Sequence, residues 1–285
     1  MLDLSLFYKM AHRVRHASIL KNQEWLWNLL RPFFRTILGL EKNGIKLTLS
    51  SGCEIRIPAE CLSWMEWTHY ELRAVKAMTD WIRQHPRAVI VDAGCSFGYF
   101  SLLALATSPE VKVIAIDADI SSLIAAEKIC QYHDGARRLL LVHGLLSNRH
   151  QHACTLQTAV ADTTHKINQL RATFDRSKMA YVCLHDQPGN DIPLHTLDQL
   201  LETQATPGQD LLIKCDVEGA ELIVLQGAVQ LLDKNPALLL SVHPTLLQDY
   251  FKQSREDVHA FLLAQGFKVE FLDVEHEEHW FAEKS

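Results

Sequence analysis

The chain has 285 residues, 48% hydrophobic and 22% charged, with a formal net charge of −6. That supports one large globular domain, or one domain with an extension, and supplies no overall charge that would draw it to nucleic acid. No apolar run reaches the ~18 residues of a membrane-spanning helix, and Lys9, His12, Arg13 and Arg15 break up any signal-peptide core.

Residues 1–40 read as helix, broken near Arg31-Pro32. They carry six Lys and Arg against Asp3 and Glu24, a local +4. Such a basic, Trp- and Phe-containing start either packs on the rest of the chain or rests on an anionic membrane surface. Gly44 to Pro58 alternates apolar and polar residues around Ser-Ser-Gly, which predicts a hairpin. Cys61 to Gln84 reads as a helix with Trp64, Trp67, Leu72, Val75 and Trp81 on its apolar positions, ending at His85-Pro86. Buried packing is the simpler role for its tryptophans, and a substrate wall the alternative.

From Ala88 the rhythm changes to short apolar runs alternating with helices. Strands are expected at 88–92, 112–117 and 139–142, with helices at 99–107 and about 121–132. Residues 148–190 are polar and break the pattern, as an antiparallel insertion or a mobile loop. The alternation resumes with a helix at 196–202, strands at 210–216 and 237–242, helices at 220–232 and 255–265, and a final strand at 267–273. Alternation of this kind predicts an α/β fold with a mostly parallel sheet covered by helices on both faces. The expected organisation is an N-terminal helical and hairpin extension over 1–85 and a ligand-binding domain over 86–285. The seven cysteines (53, 61, 95, 130, 154, 183 and 215) form no CxxC pair. That is the usage of reduced thiols, and a cytoplasmic chain is expected.

Two segments carry chemistry. The first is Val91-Asp-Ala-Gly-Cys-Ser-Phe-Gly-Tyr-Phe-Ser101. Gly94 permits a tight turn after the strand, and Gly98 would let a ligand approach the helix start. A dinucleotide loop needs G-x-G-x-x-G to accommodate a pyrophosphate, but Ser96 occupies the middle position. The loop suits a ligand without pyrophosphate, such as S-adenosylmethionine, with Asp92 beside its sulfonium and Cys95, Ser96 and Phe97 lining it. Asp117 closes the next strand, where an acidic side chain can accept both ribose hydroxyls of an adenosine; Asp119 fits a helix N-cap better. After the third strand, Gly144-Leu145-Leu146 would lie where an adenine ring sits, and Ala118, next to Asp117, joins the expected cofactor-binding residues. The second segment is Leu212-Ile-Lys-Cys-Asp-Val-Glu-Gly-Ala-Glu-Leu222, which crowds Lys214, Asp216, Glu218 and Glu221 at a strand's carboxyl end. Asp216 and Glu218 read as catalytic, and Glu221 as a helix-capping acid.

The runs DAGCSFGYFS, IAIDAD, Thr196-Leu-Asp198, IKCDVEGAELIVLQGA and SVHP (241–244) resemble the FkbM-type methyltransferase family over residues 86–273. The resemblance implies a class I, Rossmann-like methyltransferase fold, S-adenosylmethionine as donor, and O-methylation of a sugar, polyketide or other natural-product acceptor. Cys95-Ser96 and Asp117-Ala118-Asp119 depart from the family's usual residues but keep the chemistry of the site. His243, at the end of a further strand, is a third candidate for removing the acceptor proton. His150 with His152, and His276 with His279, have no third ligand at a suggestive spacing, so they read as solvated histidines and no metal site is expected. The rival readings are a nucleotide-dependent oxidoreductase or epimerase, for which no Tyr-x-x-x-Lys is found, and an inactive binding module of a biosynthetic complex.

Overall fold

The computed structural model describes residues 44–150, 154–184, 192–202 and 208–284. The N-terminal basic segment lies outside the described residues. Strands β1 (Ile45–Thr48) and β2 (Glu54–Ile57) form the expected antiparallel hairpin, with Ile45 opposite Ile57. Its inward residues and those of helix α1 (Leu72–Gln84) share one hydrophobic cluster with Ile90, Leu102 and Leu103.

The single helix expected over 61–84 is instead a 3-10 turn at Ala59–Trp64, an irregular stretch, and α1. The break has a local cause. Trp67 is buried with its indole N–H donated to the carbonyls of Cys61 and Leu62, and Glu71 sits in the left-handed region at φ 44°. Neither a helix nor a strand passes through such a residue. Trp67 and Trp81 are buried, as the packing reading expects.

Among the described residues the central sheet has seven strands in the order β10-β11-β9-β8-β3-β4-β5. In chain order these are β3 (Val89–Ala93), β4 (Lys112–Asp117), β5 (Leu139–His143), β8 (Leu211–Cys215), β9 (Ala237–Val242), β10 (Phe267–Val274) and β11 (Glu278–Lys284), while the short β6 (Leu145–Leu146) and β7 (Leu194–His195) pair with each other outside it. The five from β5 to β9 are parallel, whereas β11 runs antiparallel to β9, and β10 to β11. Two apolar clusters, one led by Ile90 and Leu212 and the other by Val91 and Ile213, pack against opposite faces of the sheet. Alternate residues of a strand point to opposite faces, so the all-apolar strands feed both clusters. This is the class I methyltransferase architecture. Chain order reverses between β3 and β8, the crevice where open α/β sheets bind ligands.

Three further elements differ from expectation. Residues 156–170 form a helix, α2 (Leu156–Leu170), rather than an antiparallel insertion or a mobile loop. The Thr155 hydroxyl caps it at the Thr158 N–H, and Leu156, Ala159, Thr163 and Ile167 make one buried stripe at helical spacing. The helix expected over 220–232 divides into α3 (Glu221–Gln226) and α4 (Val229–Leu232). Last, the strand expected to be final, at 267–273, is followed by one more, β11, which pairs with β10 on one side and apolar β9 on the other and buries His279, Trp280 and Ala282.

Candidate active site

A cavity of about 270 Å³ opens at the carboxyl ends of the parallel strands. One half of its wall comes from the loops after β3, β4 and β5: Gly94–Phe97, Ile116–Ala118 and Gly144–Leu146. Facing it are Tyr70, Lys214, Asp216, Glu218, His243 and Glu277, and residues 180–182 and 184 add a further part of the wall.

The β3 loop is built tightly. The N–H groups of Gly94 and Cys95 both donate to the Ile116 carbonyl at 2.9 and 3.1 Å, and Ser96 N–H donates to Asp117 Oδ2 at 2.8 Å. Ser96 holds φ 49°, a left-handed conformation costly for a residue with a Cβ. Gly94 is obligatory for a reason the sequence does not show. At φ 74° a Cβ would lie 1.7 Å from the Asp216 carbonyl oxygen, so the loop and the carboxylate segment press backbone to backbone.

Gly98 does not line the cavity; a Cβ there would meet Ala126 Cβ at 2.6 Å, so the residue permits close packing between two helices. Asp92 too is fully buried beneath the loop and outside the cavity wall, accepting the Ser101 hydroxyl at 2.6 Å. Burial raises its carboxyl above the ordinary range despite the Lys214 ammonium nearby. Cys95, Ser96, Phe97, Gly94, Asp117, Ala118, Gly144 and Leu145 all line the cavity.

Asp117 accepts the Ser96 N–H through one oxygen and the Asp119 N–H through the other, both at 2.8 Å. Burial raises its carboxyl to about 7, against these two bonds. Asp119 caps the following helix at the Ser121 and Ser122 N–H groups, as expected.

Across the cavity, Lys214 Nζ donates to Asp216 Oδ2 at 2.7 Å and lies 4.9 Å from the centre of the Phe100 ring. Burial opposes ionisation of Asp216, but Lys214 and His243 outweigh it and hold the carboxyl below its ordinary value. His243 Nδ1 is 2.9 Å from Glu221 Oε1, and its Nε2 is 3.7 Å from Asp216 Oδ1 and 3.5 Å from Glu218 Oε2. Burial alone would depress this imidazole; Glu221, then Asp216 and Glu218, raise it to about 9. Burial, the largest influence, leaves the Glu218 carboxyl above its usual value.

Glu221 is the residue that sequence reasoning placed too narrowly. It is fully buried and does accept the Gly219 N–H at 2.9 Å, as a capping acid would. The same oxygen also takes His243 Nδ1, which makes it the group that orients the imidazole. Tyr70 and Glu277 were missed altogether, since nothing in their local sequence ties them to strands so far along the chain. His279 is a correction: it is wholly buried in β11 opposite Ser241 of β9, not solvated, whereas His276 is exposed as expected, at the rim of the cavity.

The model of the methyltransferase FkbM domain matches residues 112–269, more than half of the chain. The chain belongs to the FkbM methyltransferase family. The match takes in Asp117, the 212–222 segment and His243, while the glycine loop precedes it. Family membership sets aside the oxidoreductase reading, and S-adenosylmethionine is the methyl donor. No curated protein sequence matches the chain. Among solved structures it is weakly similar to an O-methyltransferase of Bacillus cereus in complex with SAH, at 11% identity over 74% of this chain and 80% of that one, TM-score 0.44. It is also similar to a magnesium protoporphyrin IX methyltransferase of Synechocystis with bound SAM, at 14% identity over 74% and 78%, TM-score 0.35.

The FkbM-family site fits its donor. Asp117 sits at the cavity wall with apolar Ile116, Ala118, Leu145 and Leu146 around it, the combination a ribose and a purine require. Asp117→Ala is expected to weaken S-adenosylhomocysteine by about 1.5–3 kcal/mol, the range of a hydrogen bond to a charged group. Calorimetric titration of both proteins checks this, and an unchanged dissociation constant would move the ribose contact elsewhere. Melting without ligand should fall as well, because the Ser96 and Asp119 N–H groups lose their acceptor.

Proposed function

We propose that this chain is an O-methyltransferase acting on a hydroxyl of a small-molecule or glycan acceptor, of sugar, polyketide or other natural-product type. The observation that supports it is the Glu221–His243 pair. Glu221 accepts Nδ1–H and fixes the ring, which leaves Nε2 between Asp216 and Glu218 in the cavity wall.

The bound donor supplies an electrophilic methyl group on a sulfonium. The chain's own residues prepare the acceptor. His243 Nε2, in its neutral form, takes the hydroxyl proton as the oxygen attacks. Asp216, held anionic by Lys214, and Glu218 accept hydrogen bonds from the acceptor's polar groups and keep the imidazole between them. Glu221 stabilises the imidazolium that forms. A neutral amine acceptor brings its own lone pair and needs no such base; a hydroxyl does, and that favours oxygen. Holding donor and acceptor in line accounts for a further large part of the acceleration.

The test uses S-adenosylmethionine with a labelled methyl group. The protein is incubated with extracts of cells lacking the gene, and the products are resolved by mass spectrometry and NMR. Label is expected on an ether oxygen of one acceptor class. Label on nitrogen or carbon would overturn the oxygen assignment, and no transfer to any acceptor would favour the inactive binding module.

A further inference from the structure

Beside the cavity, on the side of Glu277, lies a second cluster that the methyl-transfer chemistry does not use. Glu71, from the N-terminus of α1, Glu277, from the β10–β11 turn, and His279, from β11, bring one donor atom each within 4.8 Å of one another. His279 Nε2 is 3.3 Å from Glu71 Oε2 and 3.4 Å from Glu277 Oε1. Glu71 and His279 are fully buried.

These approaches are ion-pair contacts that lack the alignment of a hydrogen bond, and neither Glu71 oxygen nor His279 Nε2 has a well-aligned partner. Buried carboxylates held only by loose contacts are costly, which leaves room for a further partner. The imidazole edge is shared between two carboxylates rather than aimed at one oxygen. Three donor atoms within 4.8 Å of one another, with two of the spacings 3.3 and 3.4 Å, have the separations of ligands that share a cation. With metal–ligand distances of about 2.0–2.2 Å, neighbouring ligands of a tetrahedral or octahedral ion stand roughly 3.0–3.5 Å apart.

The surroundings agree. A bulge in β10 between Phe271 and Asp273 sets Asp273 opposite His279, where its Oδ1 lies 2.8 Å from Nδ1. That is the carboxylate–histidine arrangement that fixes the tautomer of a metal-binding imidazole. Glu275, the remaining acid of the turn, is committed elsewhere: its oxygens accept the N–H groups of Glu71 and Leu72, which pins the turn to the start of α1.

We propose that Glu71, Glu277 and His279 form a binding site for a divalent first-row transition cation. Mixed imidazole and carboxylate donors suit ions of the Mn²⁺-to-Zn²⁺ class better than Mg²⁺ or Ca²⁺. The site locks the β10–β11 turn against α1, and Glu277 carries it to the acceptor side of the cavity.

The full chain is stripped with chelator, desalted and titrated separately with MnCl₂, ZnCl₂ and MgCl₂, reading bound metal per chain by mass spectrometry and melting temperature by scanning fluorimetry. About one Mn²⁺ or Zn²⁺ per chain is expected, with a raised melting temperature and weaker response to Mg²⁺. Glu71→Gln and Glu277→Gln should each weaken binding at least ~10-fold, and Asp273→Asn roughly 10–100-fold, the usual effect of losing a ligand's hydrogen-bond partner. Glu277→Gln, in a partly exposed turn, keeps the test valid if Glu71→Gln fails to fold. His243→Asn should bind metal normally. Three results overturn the proposal: no stoichiometric binding, binding unchanged in the two Glu variants, or binding lost in His243→Asn but kept in Glu71→Gln. The last would move the cation to the neighbouring convergence of Asp216, His243 and Glu277.

Discussion

His243→Asn should fold, bind S-adenosylhomocysteine normally, and lose on the order of 10²–10⁴ in turnover, the worth of a positioned proton acceptor. The charge state makes the prediction sharper. His243 is raised to about 9, above its ordinary 6.5, so most of the imidazole is protonated near neutrality. Only the neutral ring accepts a proton, and its share grows with pH. Turnover should therefore rise with pH up to about 9 and then level off. Glu221→Gln removes the strongest of the charges that favour the imidazolium, while keeping an oxygen near Nδ1. Its plateau should begin at a lower pH. If Glu218 were the base instead, the profile would not follow the His243 ionisation, and Glu221→Gln would leave its shape alone. Stability carries the same signature. The raised value means that the contribution of the His243 ion pairs is fully present below about 6.5 and is lost as pH rises through about 9. Urea denaturation across that window, for the wild type and Glu221→Gln, reads it directly.

The second large effect is expected from Gly94→Ala, with Gly52→Ala as its partner. Both glycines are left-handed, at φ 74° and 76°. An L residue in that conformation costs about 1–2 kcal/mol. A Cβ at Gly52 meets nothing within 4 Å, whereas at Gly94 it would lie 1.7 Å from the Asp216 carbonyl oxygen and 2.8 Å from its carbon. Both obstacles are backbone, so the loop and the β8 end must separate, adding about 1–3 kcal/mol of overpacking strain. Gly94→Ala should thus cost about 2–5 kcal/mol and Gly52→Ala no more than the conformational share. Gly94→Ala should also weaken S-adenosylhomocysteine and reduce turnover, since a shift near 1 Å in a reacting geometry costs roughly 10²-fold. Equal destabilisation of the two variants, with normal ligand binding in Gly94→Ala, would show that the close approach is unimportant.

The sequence by itself determined the parallel sheet and its ligand edge. Short apolar runs such as 112–117 and 237–242 can be buried only on both faces, and their endings at Asp117 and His243 put polar groups at one rim. The K-x-D-x-E-G-x-E segment was legible for a related reason: three acids after a buried strand need partners, and a cleft supplies them. The sequence was silent where an element's identity depends on distant neighbours. Polar-looking 156–170 is a helix because one sparse stripe meets the sheet, and 61–84 is broken because Glu71 is held left-handed at a helix start capped by Glu275. Only the tertiary structure made Glu221 the orienting partner of His243, showed that Gly98 packs helices, and turned His279 from a surface residue into a buried one beside Glu71 and Glu277. Glu71 and His279 are more than two hundred residues apart in the chain, and no local pattern records that an antiparallel strand added at the sheet's edge carries one to the other. Periodicity encodes which face of an element is buried; which charges then meet depends on sheet order, and that is decided by packing.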